Sequence, residues 1–223
     1  MEFECWLSCP SIVAFMAAHG MTQPAQLQLY FEARVAALLR GRRPVIWEEN
    51  FGAASAYPPS AIVQVWKEAG GNLTVMEGLL KAGYTVIYST RDWYTDWAAI
   101  SSTAYDDHVN GPRGWAFYHS IDPLPANTSL APAEAARLLG GEVCAWSPYT
   151  DASNVLATAF PRAAAVAERL WSAQGGAVDA PGALAARMQA HRCRLLARGL
   201  PAAPVAWGAS CPAVFAQAYV PPY

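Results

Sequence analysis

The sequence lacks the features that mark several protein classes. Only 14% of its 223 residues are charged, and a net charge of −2 argues against a basic nucleic-acid surface. No apolar run reaches the roughly 18 residues that a membrane span needs, because Arg162, Glu168 and Arg169 interrupt the best candidate. The four histidines show no metal-ligand spacing. The sequence therefore predicts a globular protein with no membrane span, nucleic-acid partner, metal or organic cofactor.

A signal-peptide pattern is also missing, since the chain starts with the acidic stretch Met1-Glu2-Phe3-Glu4. Other features nevertheless indicate an oxidising compartment. The chain has five cysteines and two glycosylation sequons, which begin at Asn72 and Asn127. We therefore expect a protein of the secretory route whose beginning is encoded further upstream.

What is present is an alternation of short apolar strands and helices. Strands are predicted at 44–48, 61–66, 84–89 and 142–146, and helices at 8–19, 24–40, 72–81, 131–138, 159–172 and 181–198. The stretch 91–127 is predicted to be a long loop. This order is typical of parallel β/α units, and four strands fit half of an eight-stranded barrel or a small open sheet. No linker or repeat indicates a domain boundary.

An aromatic residue lies at or just after the carboxyl end of each predicted strand. Trp47, Trp66 and Trp146 lie at or near three strand ends, and Trp93-Tyr94 follows the remaining strand. The carboxyl ends of barrel strands carry active sites, and converging indoles would suit the apolar face of a sugar or an N-acetyl group. Core packing is the simpler explanation for any single tryptophan, but the repetition at four strand ends favours a binding cup.

Several longer segments resemble, in order, the glycoside hydrolases of family 20, which remove terminal N-acetylhexosamines. They are Glu2-Phe3-Glu4-Cys5-Trp6, Val45-Ile46-Trp47-Glu48-Glu49, Ile62-Val63-Gln64-Val65-Trp66-Lys67-Glu68, Trp93-Tyr94, Gly140-Gly141-Glu142-Val143-Cys144-Ala145-Trp146, Pro161-Arg162-Ala163 and Ala167-Glu168-Arg169-Leu170-Trp171. The resemblance extends from Glu2 to about Cys211. It implies an α/β fold, namely a partial (β/α)8 barrel comprising strands five to eight and the C-terminal helices, with residues 1–223 forming the C-terminal part of a catalytic domain.

The resemblance also implies a retaining mechanism in which the substrate's own 2-acetamido oxygen is the nucleophile. Trp47, Trp66 and Trp146 would wall the acetamide, and Tyr94 would donate its hydroxyl to the acetamide oxygen. Asp96 matches a residue that binds the 6-hydroxyl, and Trp115 matches a loop aromatic that stacks on the next sugar. The expected substrates are glycans or glycolipids that end in N-acetylglucosamine or N-acetylgalactosamine.

Two departures from the family pattern concern catalysis. The adjacent Asp and Glu that orient the acetamide and act as general acid in relatives match positions ahead of Met1, so we expect the chain by itself to be inactive. Pro148 stands where relatives have a Glu that binds the 4-hydroxyl. Strand alternation would leave Glu49, and not Glu48, facing the pocket beside Trp47, although an anchoring role is favoured for it.

Further expectations follow from the same resemblance. Cys193 and Cys211 match a disulfide of animal lysosomal relatives, which predicts a lysosomal or extracellular full-length protein. A homodimer that closes a barrel is a possibility that the residues leave open. The alternative function is a non-catalytic sugar-binding or regulatory half-barrel. A third interpretation, which we favour, is that the gene product is longer and Met1 is not its true start.

Overall fold

The computed structural model describes residues 4–50, 57, 60–69, 72–95, 114–125, 128–148, 150–172 and 181–212. Within these ranges the helices are α1 (Glu4–Leu7), α2 (Pro10–Ala18), α3 (Pro24–Leu38), α4 (Thr74–Lys81), α5 (Trp115–Ser120), α6 (Pro132–Ala135), α7 (Val155–Ala159), α8 (Arg162–Trp171) and α9 (Pro181–Ala197). The strands are β1 (Val45–Trp47), β2 (Ile62–Val65), β3 (Thr85–Tyr88) and β4 (Leu138–Gly141).

The four strands form one sheet in the order β1-β2-β3-β4. β1 and β2 pair in parallel, with Trp47 opposite Gln64. Side chains alternate along β2, since Val63 and Val65 are fully buried while Ile62 and Gln64 are only partly buried. Helix α4 lies between β2 and β3, and helices α5 and α6 lie between β3 and β4, which is the order of a parallel α/β fold, as the sequence predicts.

The fourth strand differs from its prediction at 142–146. The strand that forms is Leu138–Gly141, and Cys144 makes only an isolated parallel bridge with Tyr94. Glycine is disfavoured in strands by propensity, but Gly141 is required here by close packing. A Cβ on Gly141 would lie 2.5 Å from the Tyr88 carbonyl oxygen and 2.5 Å from Cζ3 of Trp93.

Other element predictions were also wrong in detail. The helix predicted at 159–172 begins only at Arg162, as α8, because Pro161 has no amide hydrogen and separates it from the short helix α7, which ends at Ala159. The stretch 91–127, predicted to be a loop, contains α5. None of the helices in the described ranges is long and apolar enough to cross a membrane.

The chain divides into two compact units. The first comprises Met1–Trp66, Val75–Ile87 and Leu130–Leu139. On its helix α3 burial does not follow hydrophobicity at every position, because Phe31 is 65% exposed while Glu32 is 3% exposed. The Glu32 carboxylate accepts a hydrogen bond from Gln28 Nε2 at 2.7 Å, which compensates part of the cost of its burial.

The second unit comprises Lys67–Thr74, Tyr88–Ser129 and Gly140–Tyr223. A cluster of buried residues packs α5 against the last two helices and the segment after them: Trp115, Ala165, Leu184, Met188 and Val205. Cys193 in α9 forms a disulfide with Cys211, which confirms the predicted pairing. This bond closes the loop that carries Val205.

Candidate functional site

Trp47 and Trp66 form an aromatic pair in the first unit. Trp47 is the last residue of β1, and Trp66 directly follows β2. Since the two strands are parallel neighbours, their carboxyl ends bring the two side chains together. The ring centroids are 6.3 Å apart at an interplanar angle of 83°, which is an edge-to-face contact. Both tryptophans are only partly buried.

Both carboxylates that follow Trp47 contact Trp66. Glu49 Oε2 accepts a hydrogen bond from Trp66 Nε1 at 2.7 Å, and Glu48 Oε2 accepts one from the Trp66 main-chain nitrogen at 3.3 Å. The strand alternation that predicted opposite faces for these neighbours does not apply, because residues 48–50 form a 3₁₀ turn. Nothing in the pattern of the sequence indicated this turn, so the shared contact with Trp66 was missed.

Tyr94 and Trp146 form the corresponding group of the second unit. Tyr94 makes a parallel bridge with Cys144, and Trp146 lies two residues beyond that cysteine. The two ring centroids are 6.1 Å apart, with an interplanar angle of 50°. Tyr94 is buried, whereas Trp146 is 46% exposed. The bridge, and not the end of β4, therefore places Trp146 beside the Tyr94 ring.

Helix α5 anchors the segment that carries Tyr94. The Tyr118 hydroxyl donates to the Tyr94 carbonyl oxygen at 2.9 Å, and the Trp93 indole nitrogen donates to the Tyr118 carbonyl oxygen at 3.1 Å. Both bonds are buried and satisfy polar groups that burial would otherwise penalise. Trp93 itself is fully buried, so it supports Tyr94 from the core.

Trp115, another predicted site residue, lies in the hydrophobic cluster of the second unit. Trp115 is 2% exposed, and its indole nitrogen donates to the Val205 carbonyl oxygen at 2.8 Å. Its assignment to sugar stacking does not fit this position, because a ring inside a hydrophobic cluster offers no face to a ligand. Asp96 and Asn127 lie outside the described residues.

Asn72, the other predicted glycosylation site, is exposed just before α4. Its Oδ1 accepts hydrogen bonds from the main-chain nitrogen and the hydroxyl of Thr74, at 3.1 and 2.8 Å. This is the pattern of a side chain that satisfies the free amides at the start of a helix. The Asn72 oxygen thus has a structural role in the first turn of α4.

The chemistry of the two aromatic groups is that of binding surfaces. Indole rings and a phenol can contact the apolar parts of a sugar, and the hydroxyl can donate a hydrogen bond. Among the described residues, no three His, Cys, Asp or Glu side chains are close enough together to hold a metal ion. The Glu48 and Glu49 carboxylates accept hydrogen bonds from the Trp66 main chain and indole, so they restrain this residue.

Comparison with known proteins identifies the family. The model of the glycosyl hydrolase family 20 catalytic domain matches residues 1–174. Beta-hexosaminidase subunit beta of Sus scrofa is 33% identical over 213 residues, which are 93% of this chain and 36% of that subunit. Beta-hexosaminidase subunit alpha of Rattus norvegicus is 32% identical, with 93% of this chain and 37% of that subunit covered. The chain thus spans little more than a third of the length of these relatives.

A solved structure shares the fold. The chitobiase of Flavobacterium johnsoniae superposes with a TM-score of 0.67 at 27% identity, covering 89% of this chain and 28% of that enzyme. The name of this chitobiase carries the designation of glycoside hydrolase family 20. This chain therefore belongs to glycosyl hydrolase family 20, and its match lies within the catalytic domain of that family.

Proposed function

We propose that this chain is the C-terminal part of the catalytic domain of a β-N-acetylhexosaminidase. In this proposal β1 to β4 are strands five to eight of the (β/α)8 barrel. The observation that carries the proposal is the Trp47–Trp66 pair at the carboxyl ends of two parallel strands, within the segment that matches the family. Enzymes with this barrel fold bind their substrates at the carboxyl ends of the strands, where this pair lies.

The proposed reaction is substrate-assisted hydrolysis of a terminal N-acetylhexosamine. The 2-acetamido carbonyl oxygen attacks the anomeric carbon, the glycosidic bond breaks, and a general acid protonates the departing oxygen. Water then opens the oxazolinium intermediate with retention at the anomeric carbon. The natural substrates in this proposal are glycans or glycolipids that end in N-acetylglucosamine or N-acetylgalactosamine.

Within that mechanism the aromatic residues bind and orient the acetamide. Trp47, Trp66 and Trp146 wall it, and Tyr94 donates its hydroxyl to the acetamide oxygen, so that this oxygen points toward the anomeric carbon. The contact of the Tyr94 and Trp146 rings supports a shared role for these two residues. Asp96 is proposed to bind the 6-hydroxyl.

The general acid is the part of the mechanism that no described residue supplies. Glu48 and Glu49 hold the Trp66 main chain and indole, so neither carboxylate is placed as a proton donor in this proposal. A missing acid lowers the rate by roughly 10²- to 10⁴-fold, and the missing Asp partner lowers it further. We therefore expect the 223-residue chain alone to show no hexosaminidase activity.

The test is an assay with a chromogenic N-acetylglucosaminide on two purified proteins. The first is the 223-residue chain, for which no turnover is expected. The second is a chimera in which the N-terminal part of the Sus scrofa subunit, including its Asp-Glu pair, precedes this chain. Turnover by the chimera that falls at least 10-fold in its Tyr94→Phe variant supports the proposal. A folded chimera whose turnover is unaffected by Tyr94→Phe contradicts the role of Tyr94.

The alternative function is a half-barrel that binds sugar without hydrolysing it. The observation in its favour is the Trp47–Trp66 pair, whose neighbouring carboxylates bind Trp66 and are not placed as proton donors. Pro148 argues against it, because this exposed proline cannot accept the hydrogen bond that a Glu accepts at that position in relatives. Like the proposed function, this alternative predicts Trp66-dependent binding of N-acetylglucosamine, and it differs in predicting that the chimera remains inactive even with Pro148→Glu. The Cys193–Cys211 disulfide supports a lysosomal or extracellular location in either case.

A further inference from the structure

Two neighbouring carboxylates act on one tryptophan in the first unit. The Trp66 indole nitrogen donates to Glu49 Oε2 at 2.7 Å, and its main-chain nitrogen donates to Glu48 Oε2 at 3.3 Å. A hydrogen bond to an ionised acceptor is roughly twice as strong as one between neutral groups. One carboxylate therefore fixes the ring, while its neighbour fixes the backbone that carries the ring.

The 3₁₀ turn at Glu48–Asn50 is what makes this double contact possible. If β1 continued past Trp47, Glu48 and Glu49 would point to opposite faces of the sheet, and only one could approach Trp66. Because the strand ends at Trp47, both side chains reach the residue that follows β2. The early end of β1 therefore has a consequence for the orientation of Trp66.

The Trp47 ring adds a third restraint. It packs edge-on against the Trp66 ring, with a centroid distance of 6.3 Å. Trp66 is thus held at its main chain, at its indole nitrogen and at its ring, although the side chain is only partly buried. A partly buried tryptophan packed only by apolar neighbours would retain more rotational freedom than this one.

We propose that Glu49, with Glu48, is a positioning residue that presets the Trp66 indole for the acetamide group of the substrate. This inference rests on the proposed function, in which Trp66 walls the acetamide. If the Trp66 ring is already oriented before the sugar binds, the free energy of binding does not include the entropic cost of ordering the ring. Loss of that preorganisation lowers affinity by about 2- to 10-fold for one side chain.

The experiment measures Trp66 directly in the 223-residue chain. The indole ¹H–¹⁵N resonance of Trp66 is assigned by its disappearance in Trp66→Phe and is then followed in Glu49→Ala and Glu49→Gln. We expect Glu49→Ala to shift this resonance and lower its order on the fast timescale. Glu49→Gln, whose amide oxygen can still accept from Nε1, should retain most of the order. An unchanged resonance and order in Glu49→Ala overturn the proposal.

Glu134→Ala is the matched control. The Glu134 carboxylate also accepts a hydrogen bond from a main-chain nitrogen, that of Ala131 at 2.7 Å, and it belongs to the same unit without a bond to Trp66. Its loss should leave the Trp66 resonance in place. If Glu134→Ala moves the Trp66 resonance as much as Glu49→Ala does, the effect is general destabilisation and the positioning role is overturned.

Titration with N-acetylglucosamine separates this inference from the proposed function. We expect Glu49→Ala to weaken binding by about 2- to 10-fold, Glu49→Gln to weaken it less, and Glu134→Ala to leave it unchanged. If the wild-type Trp66 resonance does not respond to saturating sugar, the proposed role of Trp66 is contradicted. In that case the free-chain spectra still decide whether Glu49 orders the ring, and an ordered ring would then have only a structural role.

Discussion

Trp66 in the first unit differs from Trp93 and Trp115 in the second unit in the partner of its indole nitrogen. In the second unit, Trp93 and Trp115 are buried and donate to the main-chain carbonyls of Tyr118 and Val205. In the first unit, Trp66 is partly exposed and donates to the carboxylate of Glu49. The two buried tryptophans hold the fold together, while Trp66 presents a ring at the surface.

The difference has a physical reason. A buried indole must find an acceptor inside the protein, and main-chain carbonyls are the acceptors that the fold already supplies. A partly exposed indole can donate to water, so a protein acceptor is not required for stability. A carboxylate that accepts from such an indole therefore serves mainly to keep the ring in one orientation.

The largest effect should come from Trp115→Ala. Truncation removes the central ring of the cluster with Leu184, Met188 and Val205, and it leaves the Val205 carbonyl without its donor. We expect the free energy of unfolding to fall by about 3–5 kcal/mol, measured by urea denaturation. Trp171→Ala is the control, because Trp171 is 91% exposed and its loss should change stability by less than about 0.5 kcal/mol. Equal losses of stability in Trp115→Ala and Trp171→Ala would contradict the structural role of Trp115.

Opening the disulfide should have the next largest effect. Cys193 and Cys211 are 18 positions apart, and the loop that they close carries the carbonyl group that accepts from Trp115. Replacing both cysteines by serine should lower stability by about 2–4 kcal/mol, since the open loop gains entropy in the unfolded chain. Thermal denaturation with and without a reducing agent checks this, and a wild-type midpoint insensitive to complete reduction would refute it.

Alkaline pH should weaken the second unit through Tyr88, which packs edge-on against Trp93 at 5.6 Å. Burial raises the pKa of Tyr88 from 10.0 to about 12. The unfolded phenol therefore ionises first, and stability falls as the pH rises from about 10 to about 12, by up to roughly 2–3 kcal/mol. Urea midpoints across this range should fall less steeply in Tyr88→Phe. Parallel profiles for the two proteins would show that Tyr88 does not cause the loss.

Apart from the control Trp171→Ala, the smallest effect on stability should come from Trp66→Ala. The ring is partly exposed and its nitrogen can be replaced by water as a donor to Glu49, so we expect a loss of about 1 kcal/mol or less. Binding of N-acetylglucosamine, followed by NMR titration, should nevertheless be abolished under the proposed function. A loss of stability as large as that of Trp115→Ala would show that Trp66, like Trp115, stabilises the fold.

Much of the fold could be predicted from the sequence. The spacing of apolar residues, and the prolines and glycines at the ends of elements, agree with the packing. Pro24 starts α3 as predicted, and the apolar run at Ile62–Val65 forms a strand with alternating burial. The fourth strand could not be located in this way. Its position depends on a close contact between Gly141 and Trp93, and such a contact is not visible in local propensity.

The candidate site shows the same limit. The sequence located Trp47 and Trp66 at the ends of neighbouring strands, and the structure confirms that these two rings are in contact. The sequence did not distinguish Trp115 from Trp47 and Trp66. Whether an aromatic residue is buried in the core depends on partners that are distant in sequence, and for Trp115 this partner is Val205. The contact of both Glu48 and Glu49 with Trp66 depends on a three-residue turn, which spacing alone does not reveal.

The division of the chain into units has a consequence for its synthesis. The first unit includes Leu130–Leu139, although most of its other residues precede Ile87. A ribosome must therefore complete more than half of the 223 residues before the last strand of that unit is available. Until then β3 lacks its neighbour β4, and its unpaired edge can form hydrogen bonds with another chain.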